Sequence, residues 1–182
     1  MPDNFHARYR EFIDEFVPDE GRILKTDCFN EANGGDIHLE GISVSPDRLT
    51  YLELDEDTVV RARKRFPERD FQQGDIRDMP FDNEEFGGVM DLSTIDHIPP
   101  QDIAKAIAEY YRILPFGGRL LLVSWCSYER KDEPQNWGGP QYFHDEGDIR
   151  RALDDVGFCT HHSKVIYDTG EIYLLELVTD KI

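Results

Sequence analysis

Short apolar runs along the chain alternate with longer amphipathic stretches. The short runs predict strands, because they have strand length and are bounded by turn residues. The run 119–125 is nearly continuous, which is typical of a central strand covered on both faces. Strands are therefore predicted at residues 22–24, 49–54, 70–73, 88–92 and 119–125.

The stretches between these runs carry helix signals. Asp55 is a candidate N-cap for a helix that stops before Pro67, and Gly157 closes a helix predicted over 145–156. Another helix opens at the Pro99-Pro100 pair and repeats apolar residues at helical spacing, so one of its faces should lie on the sheet. Those residues are Ile103, Ile107, Tyr110 and Leu114. The N-terminal segment 1–20 is also predicted to be helical.

Strands that alternate with helices predict an α/β fold, with a doubly wound, mostly parallel seven-stranded sheet and helices on both faces. Residues 161–167 and 171–178 flank an Asp-Thr-Gly turn and predict a C-terminal antiparallel hairpin. We interpret residues 1–182 as one domain. The polar segment 128–143, rich in helix and strand breakers, is interpreted as a mobile substrate loop.

Charge and composition limit the classes of partner and the cellular location that the chain can have. The chain has 38 acidic and 20 basic residues, a formal net charge of −18, which disfavours nucleic acid and favours a small-molecule substrate. No apolar stretch approaches a membrane span, and residues 1–10 carry no apolar region of a secretion signal, so we expect a cytoplasmic protein. Its expected oligomeric state is a monomer or homodimer. Three widely spaced cysteines fit reduced thiols, and no metal motif is present.

In sheets of this type, ligands bind beyond the carboxyl ends of the strands, where the strand order reverses. Glu53 ends the second strand and could accept both hydrogen bonds of a ribose diol. After the third strand, Asp75 could accept the amine of adenine while the backbone N–H of Ile76 reaches a ring nitrogen. Asp91 ends the fourth strand, and a buried charge there would be costly, so a cleft location is expected for it.

Four motifs follow one another in order along the chain. They are Tyr51-Leu52-Glu53-Leu54-Asp55, Gly74-Asp75-Ile76, the segment from Phe86 to Ile98 with its Asp96-His97-Ile98 ending, and the segment from Arg112 to Leu120 containing Leu-Pro-Phe-Gly-Gly. In this order and spacing the chain resembles the small class I S-adenosylmethionine-dependent methyltransferases that act on non-nucleic-acid substrates. The resemblance runs from about Gly21 to Val178. It implies S-adenosylmethionine as cofactor, with Glu53 on the ribose, Asp75 and Ile76 on the adenine and Asp91 at the methionine end.

The first turn departs from the pattern that this resemblance implies. Family members end the first strand with an acid and a glycine-rich turn, which lets the backbone approach the cofactor. This chain has Lys25-Thr26-Asp27-Cys28-Phe29-Asn30-Glu31-Ala32 instead, followed by a poor helix former. Either Asp27, Asn30 and the local backbone form a variant cradle for the amino-acid end of the cofactor, or the pocket is narrowed and cofactor binding is weak or lost. The predicted cofactor site comprises Asp27, Phe29, Asn30, Glu53, Leu54, Asp75, Ile76, Asp91 and Leu92.

An oxygen or nitrogen acceptor can require a general base, and His97 and His144 are the two candidates, although a structural role also fits each of them. Aromatic residues at or beyond the fifth strand are candidates for the acceptor pocket, with core packing as the alternative. They are Trp125, Tyr128, Trp137 and Tyr142. His161 and His162 point to opposite faces of a strand and cannot form a metal site unaided.

Two other functions stay open. A non-catalytic relative would keep the fold as a binding or scaffold module, and the missing glycines favour this hypothesis. A nicotinamide-dependent oxidoreductase shares the sheet, but Phe29 and Glu31 occupy the turn where it needs glycines beside a pyrophosphate.

Overall fold

The apolar runs form a sheet and the amphipathic stretches cover it, in a computed structural model that describes residues 5–34, 44–129, 131–136 and 140–182. Its strands are β1 (Ile23–Lys25), β2 (Leu49–Glu53), β3 (Asp70–Gln73), β4 (Gly88–Leu92), β5 (Arg119–Ser127), β6 (Lys131–Asn136), β7 (Pro140–Phe143), β8 (Phe158–Asp168) and β9 (Ile172–Lys181). Its α-helices are α1 (Phe5–Phe16), α2 (Phe29–Asn33), α3 (Glu56–Arg65), α4 (Ile103–Ile113) and α5 (Glu146–Val156).

The main sheet of the described residues has seven strands in the order β3-β2-β1-β4-β5-β9-β8. Strands β1 to β5 run parallel, whereas β9 pairs antiparallel with β5 and β8 pairs antiparallel with β9. The predicted doubly wound fold with a closing hairpin is confirmed. The strand order reverses between β1 and β4, which places the ligand crevice at their carboxyl ends.

Helix ends follow the capping residues in the sequence. Asp55 Oδ2 accepts a hydrogen bond from the backbone N–H of Thr58 at 2.8 Å and begins α3. In α5, Asp145 caps the first turn and Gly157 ends the helix at φ 100°, a left-handed conformation that favours glycine. The predicted ends of both helices are therefore confirmed.

Two apolar clusters cover the two faces of the sheet. One contains Val89 and Leu122 and packs under α4 and α5, and the four residues predicted to turn α4 toward the sheet belong to it. The other contains Met90 and Leu121, the neighbours of those strand residues, together with Phe12 of α1 and Val59 of α3. Successive residues thus face opposite layers, as expected for strands buried on both sides.

One crossover helix is short, and one predicted loop contains two strands. The first crossover helix, α2, has only five residues, as its poor helix propensity indicated. The segment 128–143, predicted as a loop, contains β6 and β7, which pair as a two-stranded antiparallel sheet. Its role toward a substrate stays a prediction.

The remaining expectations concern the cysteines, the histidine pair and membranes. Cys28, Cys126 and Cys159 are free, in agreement with the predicted thiols. His161 and His162 lie at a register shift of β8. Within the described ranges, no helix is long and apolar enough to cross a membrane, and no group of three potential metal ligands occurs.

Candidate active site

A cleft of about 550 Å³ lies at the carboxyl ends of β1 to β4, where the strand order reverses. This is the position at which open parallel sheets bind their ligands. Its lining comprises Lys25, Thr26, Asp27, Phe29, Asn30, Glu53, Leu54, Gly74, Asp75, Ile76, Arg77, Leu92, Ser93, Thr94, His97, Ile98 and Gln141.

Eight of the nine residues predicted to bind a cofactor lie together in this lining. They come from four segments that are remote in sequence, and the parallel sheet brings them to one edge. They are Asp27, Phe29, Asn30, Glu53, Leu54, Asp75, Ile76 and Leu92. Their roles toward a ligand stay predictions.

Glu53 is held at the rim by backbone donors from two neighbouring segments. Its Oε1 accepts a hydrogen bond from the N–H of Asp55 at 3.1 Å, and its Oε2 accepts one from the N–H of Cys28 at 3.4 Å. Because a carboxylate oxygen has more than one lone pair, both oxygens can still accept from a ligand. A fixed, half-buried carboxylate of this kind suits a ribose diol.

Asp75 is clamped by Arg77, which also lines the cleft. The Arg77 guanidinium lies 2.6 Å from Asp75 Oδ2 and 3.0 Å from Asp102 Oδ2, so it bridges two carboxylates. The hydrogen bonds from Arg77 hold the pKa of Asp75 below its usual range despite partial burial. Asp75 therefore stays ionised and fixed in orientation, as a hydrogen-bond acceptor must be.

The first turn, which departs from the glycine-rich family pattern, contains a buried ion cluster. Lys25 Nζ donates to the backbone oxygen of Asp27 at 2.8 Å and to Asp27 Oδ2 at 2.9 Å, and it lies 3.4 Å from Glu31 Oε2. Burial disfavours the ammonium, but the attraction of Asp27 and Glu31 outweighs it and raises the pKa of Lys25. Lys25 is therefore charged, although its side chain is only 1% exposed.

The prediction that Asp91 lies in the cleft is wrong. Its carboxylate is fully buried and accepts hydrogen bonds from the N–H groups of Thr94 and Ile95 and from the hydroxyl of Tyr110, at 2.6 Å. Burial raises the pKa of Asp91 to about 6. The cost of burying the charge is met by these three donors rather than by exposure, so Asp91 shapes the turn beneath the cleft.

Asp96 fixes the next part of the same segment. It is fully buried, and it accepts hydrogen bonds from the Ser124 hydroxyl at 2.7 Å and from the N–H of Trp125 at 3.1 Å. Burial raises its pKa well above the usual range. Asp96 thereby ties the turn after β4 to the strand β5.

The two candidate bases lie in different environments. His97 is exposed in the cleft, and its Nδ1 lies 2.9 Å from the carbonyl oxygen of Pro140. Because a carbonyl only accepts, Nδ1 carries the proton in this contact and Nε2 can act as an acceptor. His144 is buried, with Nε2 3.0 Å from the carbonyl oxygen of Ile95, and burial lowers its pKa. His144 does not line the cleft, so its predicted catalytic role is corrected to a structural one.

The predicted aromatic acceptor pocket does not assemble around the cleft. Trp125 is 6% exposed and packs edge-on against Phe143, so it belongs to the core. Tyr128 is exposed and donates its hydroxyl to Asp168 at 2.6 Å, while Tyr142 stacks on buried His144. None of these three lines the cleft. Trp137 lies outside the described residues.

Several cleft residues were missed from the sequence. Arg77 follows Asp75 by two residues, and this spacing beside a strand end is the signal that could have found it. Thr94 and Gln141 carried no comparable signal, because the turn after β4 and the strand β7 bring them to the cleft. Ser93, also missed, adopts φ 74°, a left-handed conformation that is unusual for a residue with a side chain.

The fold and the crevice together define a class I, Rossmann-like methyltransferase architecture. A protein-family model described as a methyltransferase domain matches residues 33–122. The geranyl diphosphate C-methyltransferase of Streptomyces coelicolor A3(2), solved with geranyl diphosphate and S-adenosyl-L-homocysteine, superposes with a TM-score of 0.76. It is 13% identical over 97% of this chain and 79% of that one. The cyclase SpnF superposes with a TM-score of 0.75, at 14% identity over 97% and 81% of the two chains.

Sequence relatives agree with this class. An N,N-dimethyltransferase of a dTDP-amino sugar from Streptomyces venezuelae is 28% identical over 60% of this chain and 44% of its own length. A chloroplastic tocopherol O-methyltransferase from Arabidopsis thaliana is 38% identical over 47% of this chain and 23% of its own length. The chain thus spans less than half the length of these curated relatives. The family model, these relatives and the shared fold confirm the resemblance to class I S-adenosylmethionine-dependent methyltransferases drawn from the sequence.

Proposed function

We propose that the chain transfers a methyl group from S-adenosylmethionine to a small-molecule acceptor. The observation that carries this proposal is the convergence of Glu53 and Asp75 on one cleft at the switch point of the sheet. These carboxylates come from consecutive strands, and each is held in one orientation by its own donors. The methyltransferase names of the relatives support the same activity.

The adenosyl part of the cofactor fits the residues present. Glu53 would hold the ribose hydroxyls, Asp75 would accept the adenine amine, and Ile76 and Leu54 offer apolar contact to the base. When bound, S-adenosylmethionine supplies a methyl group already activated on a sulfonium. The protein must therefore mainly align the acceptor and exclude water.

For an acceptor that loses a proton, His97 is the candidate base in the cleft. Its Nδ1–H is engaged by the carbonyl oxygen of Pro140, which leaves Nε2 to take the proton. Gln141, the residue after Pro140, also lines the cleft and can hydrogen-bond an acceptor. The strand β7 would thus orient both the base and the acceptor.

We also propose a class of acceptor, a cellular location and an oligomeric state. The net charge of −18 disfavours polyanions, so the acceptor is not a nucleic acid. We propose a cytoplasmic protein, acting as a monomer or homodimer, with residues 1–182 as one domain.

A non-catalytic role is the alternative, and one observation favours it. The first turn contains side chains where the family pattern has glycines that allow close backbone approach, and Glu53 Oε2 already accepts a hydrogen bond from the N–H of Cys28 in that turn. The similarity to the cyclase SpnF also shows that this fold is found in a protein named for another reaction. Such a protein would keep the cleft without binding S-adenosylmethionine.

Isothermal titration with S-adenosylmethionine and with S-adenosylhomocysteine separates the two functions. We expect micromolar binding of both by the wild-type protein, and a loss of at least about tenfold with Asp75→Ala, because a charge-assisted hydrogen bond is removed. Asp154→Ala removes an exposed carboxylate of α5 and should leave binding unchanged. Absence of binding for both ligands would refute the proposed methyltransferase function and favour the non-catalytic alternative.

A further inference from the structure

The first turn has a charge arrangement that bears on the tail of the cofactor. We call Lys25, Asp27 and Glu31 the first-turn cluster. The Lys25 ammonium has three donors, and three oxygens of Asp27 and Glu31 lie within 3.4 Å of it. Lys25 therefore has no donor left for a ligand carboxylate.

The cluster carries a net negative charge, because one ammonium is set against two carboxylates. Asp27 lines the cleft and is partly exposed, whereas Glu31 is fully buried. Among the described residues, Glu31 Oε1 has no hydrogen-bond partner, so its charge is only partly compensated. Glu53 adds a further carboxylate at the same edge, where its Oε2 meets the N–H of Cys28.

Other cations of the described cleft lining do not offset this charge. Arg77 is committed to Asp75 and Asp102 at the β3 side of the cleft. The helix after the turn, α2, has only five residues, too few for an effective helix dipole toward an anion. At the start of this helix, Phe29 presents a largely exposed aromatic side chain to the cleft instead of bare backbone.

We propose that the first-turn cluster selects against the α-carboxylate of the amino-acid tail. The preferred ligand is then an adenosyl sulfonium or thioether whose tail carries an ammonium and no carboxylate. This inference rests on the proposed function, since the adenosyl group is held as described there. An ammonium beside Asp27 in the cleft is attracted by the net negative charge of the cluster, whereas a carboxylate placed there is repelled.

The test compares three ligands by isothermal titration at one ionic strength: S-adenosylhomocysteine, its decarboxylated analogue and 5′-methylthioadenosine. We expect the decarboxylated analogue to bind about tenfold more tightly than S-adenosylhomocysteine, a difference of about 1.4 kcal/mol. We expect 5′-methylthioadenosine, which lacks both charges of the tail, to bind within about threefold of S-adenosylhomocysteine.

A preference for the decarboxylated analogue below about threefold, or a preference for S-adenosylhomocysteine, overturns this inference and leaves the proposed function standing. Absence of binding for all three ligands overturns both. The two failures are thus distinguishable in one set of titrations.

Variants tie the preference to the cluster. Glu31→Gln and Asp27→Asn each remove one negative charge and should bring the two affinities closer by at least about threefold. Because the readout is a ratio of two ligands on the same preparation, partial unfolding of a variant does not change it. Glu68→Gln removes an exposed charge before the amino end of β3, at the opposite edge of the sheet, and should leave the ratio unaltered. An unchanged ratio in both cluster variants overturns the assignment.

Discussion

At the ends of β2 and β3, the carboxylates of Glu53 and Asp75 reach the cleft. In contrast, Asp91 near the end of β4 and Asp96 in the turn after β4 are fully buried beneath the cleft. The first pair is held by donors at the rim and stays available to a ligand. The carboxylate oxygens of the second pair accept hydrogen bonds from backbone N–H groups and hydroxyls inside the protein. Acids at neighbouring strand ends thus serve different purposes, one pair for binding and the other for building the turn.

This difference in environment is reflected in the pKa values of the two sides. The hydrogen bonds of Arg77 lower the pKa of Asp75, while burial raises that of Asp91 to about 6 and that of Asp96 well above its usual range. If the comparison is right, removing a carboxylate from the β4 side should change stability, and disturbing the β3 side should change ligand affinity.

The largest effect is expected for Asp91→Ala. This change leaves the N–H groups of Thr94 and Ile95 and the hydroxyl of Tyr110 buried without their acceptor. Several orphaned donors outweigh the relief of removing a buried charge, so we expect a loss of about 4 kcal/mol in the free energy of unfolding.

Urea unfolding at pH 7 measures this loss as a lower midpoint at unchanged slope. Tyr110→Phe removes one of the three donors and should cost less, about 1–2 kcal/mol. If Asp91→Ala matches the stability of Asp154→Ala, Asp91 is not a structural residue, and the contrast between the two sides fails.

The pH dependence of stability gives the second prediction. Asp91 has a higher pKa in the folded protein, about 6, than its ordinary value of 3.8, so the folded state binds its proton more tightly than the unfolded state does. Its contribution to stability is full below pH 4 and is lost as the pH rises through 6. At about 1.4 kcal/mol for each pH unit, this loss is about 3 kcal/mol.

The measurement is urea unfolding of wild-type and Asp91→Asn protein between pH 4 and pH 7. Asparagine does not titrate, so the wild type should gain about 2 kcal/mol over the variant as the pH falls across this range, most of the full effect. Asp75, whose lowered pKa acts in the opposite direction, is present in both proteins and cancels. A stability difference independent of pH would contradict the raised pKa of Asp91.

The third prediction concerns the β3 side. Arg77→Met removes the clamp on Asp75 without touching its carboxylate. Asp75 then has to be ordered by the ligand itself, and we expect S-adenosylhomocysteine affinity to fall about tenfold. Stability should change by less than about 1 kcal/mol, because the ion pair is partly exposed.

Lys105→Met provides the matched control, because Lys105 pairs with Asp102 from the solvent side and is 66% exposed. Its affinity for S-adenosylhomocysteine should equal that of the wild type. Equal affinity of Arg77→Met and the wild type for S-adenosylhomocysteine would show that Asp75 needs no clamp and that Arg77 does not contribute to ligand binding.

The fold was predictable from the sequence because its signals are local. Alternating apolar runs gave the strands, and Asp55 and Gly157 marked helix ends that the structure confirms. The position of the cleft followed from the strand order. The orientation of single side chains did not, since the chain turns sharply at a strand end and neighbouring residues can face the cleft or the core. Leu92 lines the cleft and Asp91, one residue earlier, lies beneath it.

The acceptor side was poorly predicted for a related reason. Aromatic residues fill cores and pockets alike, and composition does not distinguish Trp125 in the core from a residue that touches a ligand. His144 was ambiguous in the same way until its partner, the carbonyl oxygen of Ile95, was known. Contacts such as that of His97 with Pro140 join residues 43 positions apart and leave no local trace.

The smallest effect is expected at Asp55, which joins the two purposes described above. Its side chain caps α3 through Thr58, while its backbone N–H holds Oε1 of Glu53 at the rim. Asp55→Ala removes the cap and should cost about 1 kcal/mol in the free energy of unfolding. Glu56→Ala, on the next residue, serves as control and should cost less, because it removes only a charge near the helix start. Since the backbone N–H remains, S-adenosylhomocysteine affinity of Asp55→Ala should change by less than about threefold. A larger loss of affinity would mean that the start of α3, rather than Glu53 alone, positions the ribose side of the cleft.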